Sequence, residues 1–131
     1  FSIPCFRKII SFLREKTIRP IIFRSASNVN PILPLVAETG IDGLWVGQVH
    51  GVLDYSQIRR EYPDLLLIGG IDSTVLAGEP KDIEVEIMNK VPELLAGGRY
   101  LPTLDDNPRE NVPYANYSYY RRLMTEVCVT G

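Results

Sequence analysis

Arg24, Ser25, Gln48, His50, Asp72 and Asp105 are the side chains of this sequence best suited to chemistry, and each stands at or just past the end of an apolar run. Arg24 offers a fixed guanidinium fork to a carboxylate or phosphate. Its other reading is an internal ion pair with Asp105 or Asp72. Ser25 can hydrogen-bond a ligand, but no base near it in sequence would activate it as a nucleophile. His50 is the single histidine. Its unperturbed pKa near neutrality suits a general acid or base, and its place beside Gly51 equally suits a turn cap. Asp72 is positioned to cap a short helical turn, and a catalytic role would require neighbours that move its pKa. Asp105 and Asp106 are adjacent, so strand alternation points one into a site and the other away. A metal site from His50, Asp72 and Asp105 has no HxxxH or CxxC spacing behind it, and no metal is expected.

The elements that must hold these residues share one grammar. Apolar runs at Arg19–Ser25, Gly43–His50, Leu65–Asp72 and Gly98–Asp105 read as strands, each ending in small or polar residues and followed by a helical pattern. The intervening helices have the length a crossover between parallel strands requires. A first helix over about Pro4–Lys16 puts Phe6, Ile9, Ile10 and Leu13 on one stripe and turns Arg7, Lys8, Arg14 and Glu15 outward. Asn30-Pro31 reads as a cap and first residue of a second helix to Thr39, with Gly40 at its left-handed end. Asp54 caps Tyr55–Tyr62, which Pro63 ends. Glu79-Pro80 opens a longer helix with Ile83, Ile87, Val91 and Leu95 in line, and Pro92 is expected to kink it. The last helix, Tyr114–Val127, carries Tyr117, Tyr120, Leu123, Met124 and Val127 toward the core, so its tyrosines read as packing rather than as a stacking platform.

Four parallel strands alternating with helices amount to the C-terminal half of a (β/α)8 barrel, whose full form takes roughly 250 residues. The 131 residues are therefore expected to be one half-barrel domain and a fragment of a longer barrel. Its open edges and inner layer call for a second copy, as in a homodimer, or for a missing N-terminal half. In such a barrel all strands run one way, so their C-terminal ends converge on a single mouth, and the polar residues listed first all fall there. The glycine pair Gly69-Gly70 at the third strand end is weak evidence of a phosphate site.

Composition excludes other classes. With 45% apolar and 23% charged residues the chain is an ordinary globular one. Fourteen basic against sixteen acidic residues, with no basic run, leave nucleic-acid binding unsupported. No apolar stretch approaches the roughly twenty residues that span a bilayer. Cys5 and Cys128, far apart and without a targeting sequence before them, read as reduced thiols of a cytoplasmic protein.

At three stretches the chain resembles the C-terminal half of the uroporphyrinogen decarboxylase superfamily, which also holds cobalamin-dependent methyltransferases. These are Glu38–Gly43, Ile58–Asp72 with Leu76, and Gly97–Asp105, within a likeness running from Phe6 to Val127. The resemblance implies cofactor-independent loss of an acetate side chain as carbon dioxide from a carboxylated, tetrapyrrole-like substrate. Phe23-Arg24-Ser25 resembles a Phe-(Asp/Glu)-Ser motif whose serine contacts the tetrapyrrole, with Arg24 in place of the acid. Asp105 stands where the family has a histidine. In the methyltransferases zinc ligands fall at positions matching Arg24, Ala26 and Asp105; arginine and alanine cannot bind the metal, which disfavours thiol activation. By this resemblance Arg24 would hold a substrate carboxylate, Ser25 would hydrogen-bond it, Gln48 would line the site, and His50 or Asp105 would help move a proton or orient the pyrrole. A corrinoid-linked methyl-transfer component and a non-catalytic assembly or regulatory subunit are the competing expectations.

Overall fold

The computed structural model describes residues 2–47 and 53–130. Gln48 and His50 lie outside the described residues. The order of elements is α1 (Ile3–Glu15), β1 (Ile22–Ser25), α2 (Leu33–Ala37), β2 (Gly43–Val46), α3 (Tyr55–Glu61), β3 (Leu66–Ile71), a 3₁₀ turn (Ser73–Ala77), α4 (Pro80–Ala96), β4 (Tyr100–Leu104) and α5 (Tyr114–Thr130). The four strands form one parallel sheet in the order β1-β2-β3-β4. This is the alternation of half an α/β barrel. Among the described residues no helix is long and apolar enough to cross a membrane.

Side chains alternate across a strand, so register sorts the sheet into two faces. Phe23, Leu44, Leu67 and Tyr100 stand side by side in one row. Leu44 and Leu67 are fully buried and join Ile83, Ile87 and Val91 of α4 in the core. The row one residue on, Arg24, Trp45, Ile68 and Leu101, lies on the other face. On that face Arg24 is exposed, Trp45 and Ile68 are half-buried, and Leu101 is 55% exposed.

The helices begin and end where local chemistry requires. The Asp54 carboxylate accepts from Ser56 N at 2.8 Å to cap α3, and Asp82 accepts from Glu79 N at 2.9 Å at the start of α4. That helix runs through Pro92 to Ala96. Two expectations need correction. Asn30 does not cap α2: residues 30–32 form a turn, in which Asn30 N donates to Asn28 Oδ1, and the helix starts at Leu33 beside Pro34. Arg14 does not face outward either. It reaches Gly40 O at 2.6 Å and Asp42 Oδ1 at 2.9 Å, fastening α1 to the turn before β2. The Asp42 carboxyl is held below its usual range, first by that Arg14 hydrogen bond. The stripe of α1 is only partly used, since Ile10 is buried while Ile9 is 54% exposed.

The glycine pair of β3 serves packing. Gly69 and Gly70 have φ of +103° and +88°, a region other residues enter at a cost. A Cβ on Gly70 would fall 2.8 Å from the Tyr55 ring. The Tyr55 hydroxyl lies between β2 and β3, accepting from Val46 N at 3.2 Å and donating to Ile68 O at 2.6 Å. Tyr100 donates to Gly69 O at 2.7 Å from the next strand, and the two rings meet edge to face at 6.5 Å.

Burial pushes the Tyr55 phenol from 10.0 up to about 12. A folded-state pKa above the unfolded one means that the unfolded chain loses its proton first. The contribution is therefore complete below pH 10 and is lost as pH rises from 10 through about 12. Urea denaturation across that range is expected to show stability falling by up to about 1.4 kcal/mol per pH unit for each such group. Tyr55→Phe should flatten that fall and, by leaving Val46 N and Ile68 O unpaired, cost about 1–3 kcal/mol at neutral pH.

Candidate functional site

A recess of about 210 Å³ opens at the C-terminal ends of the strands. Arg24 from β1 and Trp45 from β2 line one side. Asp105, Asp106 and Asn107 after β4 form its floor and rim, and Tyr117 and Arg121 of α5 close the other side.

Arg24 lies on the open sheet face, opposite Trp45 in register. Its guanidinium sits over the indole ring at 4.9 Å from the centroid. A cation against an aromatic face is attracted by the ring quadrupole and is fixed in direction. Among the described residues Arg24 makes no ion pair with Asp105 or Asp72, so the internal pairing allowed by the sequence does not form. Arg24 is exposed.

Ser25 is engaged locally. Its hydroxyl accepts from Ser27 N at 3.1 Å in a tight turn that ends β1. Asp72, 5% exposed, accepts from Thr74 N at 2.9 Å and Thr74 Oγ1 at 2.6 Å, capping the 3₁₀ turn. Asp105 is 7% exposed and accepts from Ser73 N at 2.9 Å, while its own N–H donates to Ile71 O at 2.8 Å. Asp105 thus ties the end of β4 to the turn after β3, and Asp106 beside it is exposed. The structure brings Arg24 and Asp105 to one recess, and Asp72 does not line it.

Trp45, Asn107, Tyr117 and Arg121 were not singled out by sequence as site residues. Trp45 carried a signal: it pairs with Arg24 if the two strands start in register. Tyr117 and Arg121 carried none, because only the packing of α5 beside β4 delivers them. That helix is anchored by Asn116, whose Nδ2 donates to Leu76 O and Gly78 O, each at 2.8 Å. Its Tyr120 is buried, with a phenol pKa raised first by desolvation.

A second cavity, of about 830 Å³, lies at the opposite end of the sheet. Of the charged residues that line it, Asp42 is paired with Arg14 at 2.9 Å. Arg59 donates to Pro63 O, Leu65 O and Arg99 O at 2.6–2.9 Å, and Arg99 donates to Asp64 O at 2.7 Å. In βα barrels the N-terminal strand ends serve stability and the C-terminal ends carry chemistry. The smaller recess is therefore the candidate site. Among the described residues no three His, Cys, Asp or Glu side chains gather as a metal site.

Half of an α/β barrel with a cationic, aromatic-backed recess at its strand ends is what fold and site define. The family model described as uroporphyrinogen decarboxylase (URO-D) matches residues 1–102, and the chain belongs to that family. The match spans β1 to β3 and enters β4, leaving Asp105 and α5 beyond it. Among individual curated proteins, none matches the chain significantly.

Asp105 offers a test of structural dependence at the site. Asp105→Ala removes the acceptor for Ser73 N and should lower stability by about 1–3 kcal/mol in urea denaturation. Asp105→Asn, which keeps an oxygen there, should lose less.

Proposed function

We propose that the chain supplies half of the mouth of a uroporphyrinogen decarboxylase-like enzyme, which removes a carboxylate arm from a carboxylated, tetrapyrrole-like substrate without a cofactor. The observation that carries this reading is Arg24, a guanidinium held over Trp45 at the strand ends with no acid partner among the described residues. A guanidinium so placed binds a carboxylate through two parallel hydrogen bonds. The family membership supports the reaction class.

In that chemistry the pyrrole carbon is first protonated, making the ring an electron sink. The carbon–carbon bond to the carboxylate then breaks, carbon dioxide leaves, and the electron pair flows into the ring. A second proton adds to the exocyclic methylene to complete the new methyl group, and the ring carbon gives back the proton it took first, which restores the pyrrole. Arg24 would orient a carboxylate of the substrate through these steps. Asp105, tied to Ser73 N, would orient the ring from β4. The turn hydroxyl of Ser25 would accept or donate a hydrogen bond at the rim, and Gln48 and His50 remain assigned to the site by their place after β2.

We further propose that the uncovered row of Trp45, Ile68 and Leu101 packs against a second four-stranded half, either another copy of this chain or an N-terminal half. All-parallel sheets are stable almost only with both faces covered.

The test is turnover of a porphyrinogen by the completed barrel, followed as carbon dioxide release. Arg24→Ala is expected to lower kcat/KM by about 10- to 100-fold, the loss of a charge-assisted contact. Unchanged turnover would remove Arg24 from the site. A completed barrel that releases no carbon dioxide but shifts a corrinoid spectrum would transfer the assignment to methyl transfer, and one that does neither would favour a non-catalytic subunit.

A further inference from the structure

We infer that Glu86 of α4 is a positioning residue for Asp105, holding the turn after β3 so that the Ser73 N–H fixes the Asp105 carboxylate in the recess. The inference rests on the reading of that recess as the site and adds a residue that does not line it.

β3 runs past the end of its neighbour. Its pairing with β2 stops at Val46 and Gly69, while the strand goes on to Ile71 and Asp72 follows it. Backbone groups in such a place need partners when they are removed from water, and α4 supplies two. Asp72 N donates to Glu86 Oε1 at 2.8 Å, and Lys90 Nζ donates to Gly70 O at 3.4 Å. Lys90 Nζ also donates to Glu86 Oε1, closing an ion pair across one turn of the helix. A pair with this spacing on an exposed helix face contributes little. Here the Glu86 side chain is only 14% exposed, and its oxygen is bonded to the backbone that leads into the site.

From Asp72 the path to the recess is one residue long. Consecutive N–H groups, of Asp72 and Ser73, donate to two carboxylates: Glu86 on α4, and Asp105 after β4 at 2.9 Å. The Asp72 side chain accepts from Thr74 N and Thr74 Oγ1, which pins the backbone between those two N–H groups. The direction of the first therefore sets the direction of the second. A carboxylate that accepts from a backbone N–H is held in orientation by that donor, so Glu86 acts on Asp105 through the turn without touching it.

The test follows the Ser73 amide resonance in serine-labelled protein, assigned by Ser73→Ala, in the assembly that closes the barrel. Glu86→Ala is expected to move that resonance upfield and to speed its exchange with solvent about tenfold, the worth of one charge-assisted hydrogen bond. In the same variant kcat for carbon dioxide release should fall about tenfold with KM little changed, because the group that is misplaced orients the reacting ring. Glu86→Gln keeps an oxygen for Asp72 N and should restore both. An unmoved Ser73 resonance in Glu86→Ala, or no rescue by Glu86→Gln, overturns the inference. Should Glu86→Ala fail to fold, Lys90→Met decides, since it releases Glu86 from its cation and should move the resonance the same way; no movement there overturns the inference equally. A resonance that moves while kcat holds supports the hold of Glu86 on Asp105 and instead contradicts the part given to Asp105 in the reaction.

Discussion

One hydroxyl organises the end of the sheet where the site lies. Tyr55 bonds Val46 N of β2 and Ile68 O of β3, at the point where β3 passes through two glycines in the left-handed region. The glycines are required because a Cβ at Gly70 would strike the Tyr55 ring. Beyond them β3 delivers Asp72, which caps the 3₁₀ turn, and the turn presents Ser73 N to Asp105 of β4. The recess therefore has a floor fixed by backbone hydrogen bonds, against which Arg24 and Arg121 are arranged. Buried phenols serve well in this place because their hydroxyls both donate and accept, and burial keeps them protonated far above neutral pH.

The sheet has two unequal faces. One face is packed by α4 and α5 into a continuous core with Leu44, Leu67, Ile71, Leu76, Ile83 and Ile87 completely buried. Burying each such side chain stabilises the fold by about 1.5–3 kcal/mol. The other face carries Arg24, Trp45, Ile68 and Leu101 in one row, with a cation at one edge and an exposed leucine at the other. In a closed barrel that row would belong to the interior, with Arg24 nearest the mouth. The same geometry that leaves apolar surface uncovered here is what aims Arg24 into the recess.

Much of the architecture was legible because punctuation and periodicity agree. Each strand is a short apolar run closed by small or polar residues, and the caps at Asp54 and Asp72 form as their spacing indicates. The start of α2 was misplaced because Asn30-Pro31 carries a cap signature that a turn can use equally well. Arg14 was misjudged because helical periodicity sorts residues by polarity, and a long arginine can cross an apolar edge to reach Asp42. The strand-end rule picks out Arg24 and Asp105, which line the candidate recess. Tyr117 and Arg121 depend on how a helix many residues away leans on β4, which local pattern does not encode.

This sheet is half of a barrel, and the face that carries Trp45, Ile68 and Leu101 requires a cover. Light scattering on the purified chain, combined with urea denaturation, tests it most directly. The account predicts that cooperative unfolding is seen only in an assembly heavier than the 14.8 kDa chain, whether with another copy or with an added half. A 14.8 kDa monomer that unfolds cooperatively by itself would contradict it.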